Sequence, residues 1–301
     1  MARLHDPYPP LQRALPRKIR LCRDETTSSY LSRLEAANAL QPGHLVEMLR
    51  EARHPWIDSI AAWTEHDPVL LALAMPQLAE WPASGGRTDP RLAGRPDRRR
   101  KGLACRHCAL KHVDSGWIER FTTHERVVCP RHAVWIGEGV HVVNDQLPVS
   151  QCPEIITEWR HHLNLIARFG RARIRSTFET AGHISWHWYE RFRHSEDFMA
   201  RERSLRTNEH KPDSRRHTPV TAALYPATVR LTALLASPHW AGVARSEHPE
   251  PFLNRVSELV TGGWQPRGGQ DPLRRWMTGE WQPQPMGPDT IPNPASTPAT
   301  K

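Results

Sequence analysis

Residues 105–132 read CRHCALKHVDSGWIERFTTHERVVCPRH. A C-x-x-C turn aims two sulfurs at one point, and a C-x-x-H turn aims a sulfur and an imidazole nitrogen at another. Cys105, Cys108, Cys129 and His132 thus offer a Cys₃His set in two tight pairs, separated by twenty residues. A structural zinc takes four N or S ligands in a tetrahedron, whereas a catalytic zinc keeps one position open. Four good ligands imply one closed, structural Zn²⁺ on a small ribbon: a knuckle, a short excursion and a second knuckle. Four unlinked buried residues would leave the pairing unexplained.

Three thiolates around Zn²⁺ leave a net charge of −1. Arg106 and Arg131 lie inside the knuckles and could offset it. His107, His112 and His124 are spare imidazoles, expected at the surface. Cys152 has no neighbouring pair, so a second complete site is not expected. A zinc deaminase would need H-x-E followed by P-C-x-x-C. His124-Glu125-Arg126 lacks that order and the second pair is C-x-x-H, so that enzyme class is excluded.

The chain has 301 residues, room for one large domain or two to three small ones. Apolar residues make up 38 % and mean hydropathy is −0.63, which suits several small helical units better than one large core. The net charge of +9 and a pI near 9.8 attract polyanions such as nucleic acid. Arginine supplies nearly all of it, a bias that a GC-rich genome also produces. Five cysteines, an odd number, argue against a secreted disulfide framework. The N-terminus lacks the apolar core of a signal peptide, and no run reaches membrane-span length. The expectation is a cytoplasmic, nucleoid-associated protein with reduced thiols and no membrane partner.

Residues 1–24 are Pro-rich and read as an extended arm. Residues 25–83 form an N-terminal helical domain. Thr26, Thr27 or Ser28 can cap its first helix. Tyr30, Leu34 and Ala37 share a face of that helix, with Leu31 beside them. Gln41-Pro42-Gly43 breaks it, and Leu45, Met48, Leu49 and Ala52 define a second amphipathic helix. The pair fits a DNA-reading helix-turn-helix or a plain αα-hairpin. A short apolar helix start and a break follow over 67–79. Residues 84–101 are a basic linker with seven Arg or Lys against two Asp. Arg95, Arg98, Arg99, Arg100 and Lys101 are its candidates for phosphate contact, a solvated loop being the alternative.

The ribbon spans 102–147, with a short β run and an exit loop over GVHVVNDQLPVS. A helical domain over 148–200 starts at Pro153. Ile156, Trp159, Leu163 and Ile166 form its first buried stripe, and Gly170 stops that helix. Ile174, Phe178 and Ala181 mark a second helix; Ile184, Trp188 and Phe192 mark a third. Trp159, Trp186 and Trp188 read as core. Residues 201–218 read as loop within a 201–280 segment of further short helices. The Pro-rich tail, 281–301, is expected to be disordered. The fold class is therefore mainly α, with a zinc ribbon between helical domains. No P-loop, G-x-S-x-G or H-E-x-x-H motif occurs. No catalytic residues are assigned, and the chain reads as a non-enzyme.

The order of these features resembles the TniQ family of transposition proteins, in its actinobacterial type. It comprises an extended arm, a Ser-rich helix start (Ser28-Ser29-Tyr30) ending in Ala37-Asn38, then Cys105/Cys108, Arg120 and Cys129/His132. The likeness covers roughly residues 15–145. Thr123 and His124 stand where the family usually has an aromatic residue. Many members also carry a second zinc segment, which Cys152 alone cannot form. The resemblance implies a non-catalytic adaptor. Such a protein links target DNA, or a target-bound complex, to an AAA+ ATPase regulator, and self-association into a homodimer is compatible with it. The arm residues Tyr8, Leu11, Leu15 and Ile19 would be the ATPase contact, unless the arm packs on its own helices. A stand-alone zinc-dependent DNA-binding regulator is the alternative.

Overall fold

The computed structural model describes residues 13–51, 55–80, 100–112, 117–191, 195–206 and 217–280. Among them are thirteen α-helices and five short strands, so the protein is mainly helical. The chain divides into two compact units, residues 1–163 with 200–223, and residues 164–199 with 224–301. The first part of the arm, most of the basic linker and the tail from 281 lie outside the described residues.

The first unit starts with α1 (Thr27–Ala37), capped by Thr26, whose hydroxyl accepts from the Ser29 N–H. Tyr30, Leu31 and Leu34 are fully buried. The chain turns through Gly43, whose φ of 86° suits a residue without Cβ, into α2 (His44–Glu51). The Glu35 carboxylate is buried and takes the Gly43 and Leu45 N–H groups at 2.9 and 2.7 Å. It thereby caps α2 where negative charge is favoured. Then come α3 (Trp56–Thr64), α4 (Pro68–Ala74) and α5 (Pro76–Glu80). Leu45, Leu49, Ile60, Trp63, Leu71 and Met75 close one core with α1.

The visible part of the arm belongs to that core. Leu15 is only 9 % exposed, and its N–H donates to the Trp63 carbonyl at 2.7 Å. Ile19 and Leu21 pack beside it. These residues therefore take the packing alternative: Leu15 and Ile19, expected at a partner contact, are buried or half-buried on the protein's own helices. Tyr8 and Leu11 lie outside the described residues.

Strands β1 (Arg100–Leu103) and β2 (Glu119–Thr122) pair antiparallel, Arg100 opposite Thr122 and Leu103 opposite Glu119. The ribbon thus begins at Arg100, two residues before the expected boundary. The helical turn α6 (Arg106–Ala109) follows β1, and β3 (Val128–Cys129), β4 (Val134–Trp135) and β5 (Leu147–Pro148) form a three-stranded antiparallel sheet. Where a short β run and an exit loop were expected over 139–150, the first part is a tight turn. Asp145 Oδ2 accepts from the His141 and Val142 N–H groups, so only Leu147–Pro148 pairs as strand. The segment before α1 lies along β2. Thr26 N–H donates to Glu119 O and Phe121 N–H to Asp24 O, while Ser29 Oγ accepts from Glu119 N–H.

Helix α7 (Pro153–Phe169) starts and stops where expected, Gly170 having a φ of 83°. Its buried stripe is rotated by one position: Ile155, Glu158, His162 and Leu165 are buried, and Leu163 is 37 % exposed. Two members of that stripe are polar, which hides it from an apolar pattern. The helices expected at 174–181 and 184–192 are one continuous α8 (Arg171–Glu190). Gly182 lies inside it, for a single glycine costs a helix only about 1 kcal/mol. Residues 201–205, expected as loop, complete α9 (Glu196–Leu205).

In the second unit, α10 (His217–Ala236, shared with the first), α11 (Pro238–Ala244), α12 (Glu250–Val256) and α13 (Pro272–Thr278) accompany α8. The first is long rather than short and carries Pro226 inside it. Ile184, Trp188, Leu231, Phe252, Val256 and Leu273 form the core. Trp188 Nε1 donates to Asp271 Oδ2 at 2.9 Å, and Asp271 also caps α13 through the Leu273 N–H. Among the described residues no single helix is long and apolar enough to cross a membrane. Helices α10 and α11 pass only as a pair, bent by 84°.

Candidate metal centre

Strand β1 delivers Cys105 into α6, where the Cys108 and Ala109 N–H groups donate to the Cys105 carbonyl at 3.0 and 2.9 Å. That turn points both sulfurs to one side. Gln146, 1 % exposed, fixes the turn from outside: its Nε2 donates to Ala104 O and its Oε1 accepts from Arg106 N–H. The β3–β4 hairpin supplies Cys129 and His132 and closes through Ala133, at a left-handed φ of 48°.

All four expected ligands meet. His132 Nδ1 lies 3.5, 3.3 and 3.6 Å from the sulfurs of Cys105, Cys108 and Cys129. The Cys108 and Cys129 sulfurs are 3.8 Å apart, and all four donor atoms fall within 4.8 Å of one another. The cluster can hold a metal ion.

Burial, then the neighbouring thiols, pushes the Cys108 thiol up to about 12, and burial also raises Cys105. Burial lowers His132, helped by His107, Arg131 and Lys111. Without an ion the Cys105 and Cys108 thiols therefore hold their protons at neutral pH and the imidazole is neutral. A bound metal reverses the thiol logic and releases protons.

Arg120 on β2 adds a charge that spacing alone did not reveal. Its Nε is buried without a hydrogen-bond partner. Burial and Arg126 lower its pKa, opposed by Asp24 and by the Cys129 and Cys108 sulfurs. Asp24 is already engaged by Arg126 at 2.6 Å. Arg120 is thus a half-buried cation within electrostatic reach of the metal ligands.

Of the spare imidazoles, His107 and His112 are exposed as expected, but His124 is not. Its side chain is 9 % exposed, and its Nδ1 lies 3.1 Å from Nε2 of the fully buried His162. Trp159 Nε1 donates to the Glu125 carbonyl beside them. The polar stripe of α7 therefore seats on the 124–125 turn.

The basic residues divide. Arg95, Arg98 and Arg99 lie outside the described residues. Arg100 and Lys101 stand on β1, 60 % and 58 % exposed, facing Glu138 at 3.9 Å and Glu119 at 3.6 Å. Helix α2 turns Glu47, Arg50 and Glu51 outward. A net-negative face suits an αα-hairpin better than a helix that enters a DNA groove. No family model matches the chain, and neither a curated protein nor a solved structure is found similar to it.

Proposed function

We propose that the protein is a non-catalytic adaptor of DNA transposition that carries one structural Zn²⁺. It links target DNA, or a complex bound there, to an AAA+ ATPase regulator at the nucleoid. The ion assignment rests on distances. A tetrahedron with Zn–S of about 2.3 Å and Zn–N of about 2.05 Å has S···S edges of about 3.8 Å and S···N edges of about 3.6 Å. The Cys108–Cys129 sulfur separation is 3.8 Å, the three S···N separations are 3.3–3.6 Å, and all four donor atoms lie within 4.8 Å of one another. Four ligands fill the coordination sphere, so the ion's role is to hold the two knuckles together.

The adaptor reading is carried by what the TniQ-like residues do. Ser29 holds β2 through Glu119. Asn38 holds the arm at Arg17. Arg120 lies within reach of the metal sulfurs. The residues that make the resemblance are thus those that join arm, helices and ribbon. A protein-bridging role needs these parts to be held together. The first test is the gene neighbourhood, where genes for an AAA+ ATPase and a transposase are expected; the second is reconstitution with those two proteins. The chain is expected to co-elute with the ATPase on DNA in the presence of ATP, and its omission is expected to abolish target choice. Unchanged targeting without it, and no association, would overturn the reading. DNA binding with an effect on transcription alone would point to a stand-alone regulator.

A further inference from the structure

The geometry points to the solvent face of the two metal knuckles as a binding surface for the phosphodiester backbone of nucleic acid. This deepens the DNA limb of the proposed function and rests on it for the choice of polyanion.

The first knuckle contributes Arg106, His107 and Lys111, and the second contributes Arg131. His107, Lys111 and Arg131 are exposed and Arg106 is partly so. The His107 ring lies 5.2 Å from the His132 ring, and Arg106 Nε is 3.4 Å from His107 Nε2. The two knuckles therefore present one continuous rim. Residues 105–112 and 129–133 contain no Asp or Glu.

Two facts separate this rim from ordinary surface charge. First, Arg106, Lys111 and Arg131 form no ion pair among the described residues, whereas Arg100, Lys101 and Arg126 each face a carboxylate. Second, they come from both knuckles, with Arg106 Nε against His107 Nε2 and the His107 ring 5.2 Å from the His132 ring, and so offer several cations side by side to a repeating anion. Duplex DNA carries one charge per about 1.7 Å of axis. A four-residue helical turn does not fill a groove, so contact with backbone rather than base edges is expected.

The test uses the full-length, zinc-loaded protein with a fluorescent 25-bp DNA duplex, the matching RNA duplex and phosphatidylserine vesicles, between about 50 and 200 mM salt. The Arg106→Gln/Lys111→Gln/Arg131→Gln variant is expected to lose about tenfold or more in affinity at low salt. Its log–log salt slope should shrink by about 0.9 per phosphate contact, up to nearly three units. Zinc content and melting temperature should not move. If Arg106→Gln disturbs the turn, Lys111→Gln/Arg131→Gln alone should still remove nearly two units. Binding of DNA, RNA or both supports a backbone surface and identifies its source. An unchanged slope in a variant whose parent binds nucleic acid overturns the rim and leaves the adaptor reading standing. Binding to vesicles alone, or to no polyanion, also overturns the rim. ATPase association, measured separately, then decides the adaptor reading.

Discussion

Arg33 and Glu25 form a two-pronged ion pair sealed from solvent. Arg33 Nε meets Glu25 Oε1 at 2.9 Å, and an Arg33 terminal nitrogen meets Oε2 at 2.6 Å. Their side chains are 4 % and 0 % exposed. Burial pulls the guanidinium pKa down, but the Glu25 bonds and charge outweigh it and leave it raised. Glu25 also accepts from Ser29 Oγ, and Arg33 reaches back to the Arg20 carbonyl. One pair thus ties arm, helix α1 and the edge of the ribbon.

Removing one partner should be costly, because the other remains charged and buried. Arg33→Met is expected to destabilise the protein by about 3–5 kcal/mol, and Glu25→Gln similarly. Paired replacement by apolar residues should cost much less, since no orphan charge remains. Chemical denaturation of the single and double variants checks this. Additive losses would show that the pair is not coupled.

The metal site should fail all at once. Cys129→Ser is expected to lose the ion, and with it an apparent binding energy on the order of 10 kcal/mol that is also folding energy. The ribbon should unfold, and chelator should do the same to the parent protein. Elemental analysis with circular dichroism reads both. A folded, metal-free Cys129→Ser protein would refute a structural role.

How far the site was legible depended on chemistry, not on length of pattern. Cys105, Cys108, Cys129 and His132 were readable because metal ligands need fixed spacing in sequence. Gln146 was not, since it reaches the first knuckle from forty residues away as an ordinary amide. The caps and glycines gave good helix ends at Thr26, Gly43 and Gly170. The face of α7 was misread because Glu158 and His162 occupy its buried stripe. Val140, Val142 and Val143 suggested a short β run, but the Asp145 carboxylate takes two backbone N–H groups and imposes a turn. Gln146 and His162 answer to partners remote in the sequence, whereas Asp145 acts on its immediate neighbours.

His162 should make stability fall in acid. Burial, then His124 and His161, lowers its pKa from 6.5 to about 3. Below pH 6.5 the unfolded chain binds a proton that the folded chain refuses, so stability is full above 6.5 and declines toward pH 3. The decline approaches about 1.4 kcal/mol per pH unit from this residue alone. His162→Gln cannot titrate, so its stability should fall less steeply between pH 6 and 4, on the order of 1 kcal/mol per unit less. Loss of metal in acid affects both proteins and cancels in the difference. Parallel curves would show that His162 is not held neutral by the fold.

The arm invites two deletions with different outcomes. Removing residues 1–12 leaves in place the contacts that residues 13–21 make with the other described residues. Removing residues 1–20 takes away buried Leu15, its hydrogen bond to Trp63, and the Arg17 backbone that Asn38 grips on both sides at 2.9 Å. Burying a leucine-sized side chain is worth about 1.5–3 kcal/mol, and each hydrogen bond adds about 1 kcal/mol. The longer deletion should therefore cost several kcal/mol and lower the melting temperature sharply, while the shorter one should leave it nearly unchanged. If both truncations melt like the full chain, the arm's packing contributes no stability, and Leu15 and Ile19 become available to a partner. If only the longer one is destabilised, an ATPase contact must be sought at residues 1–12 or on the exposed apolar face of α4. There Val69, Leu70 and Leu73 are 56 %, 53 % and 59 % exposed.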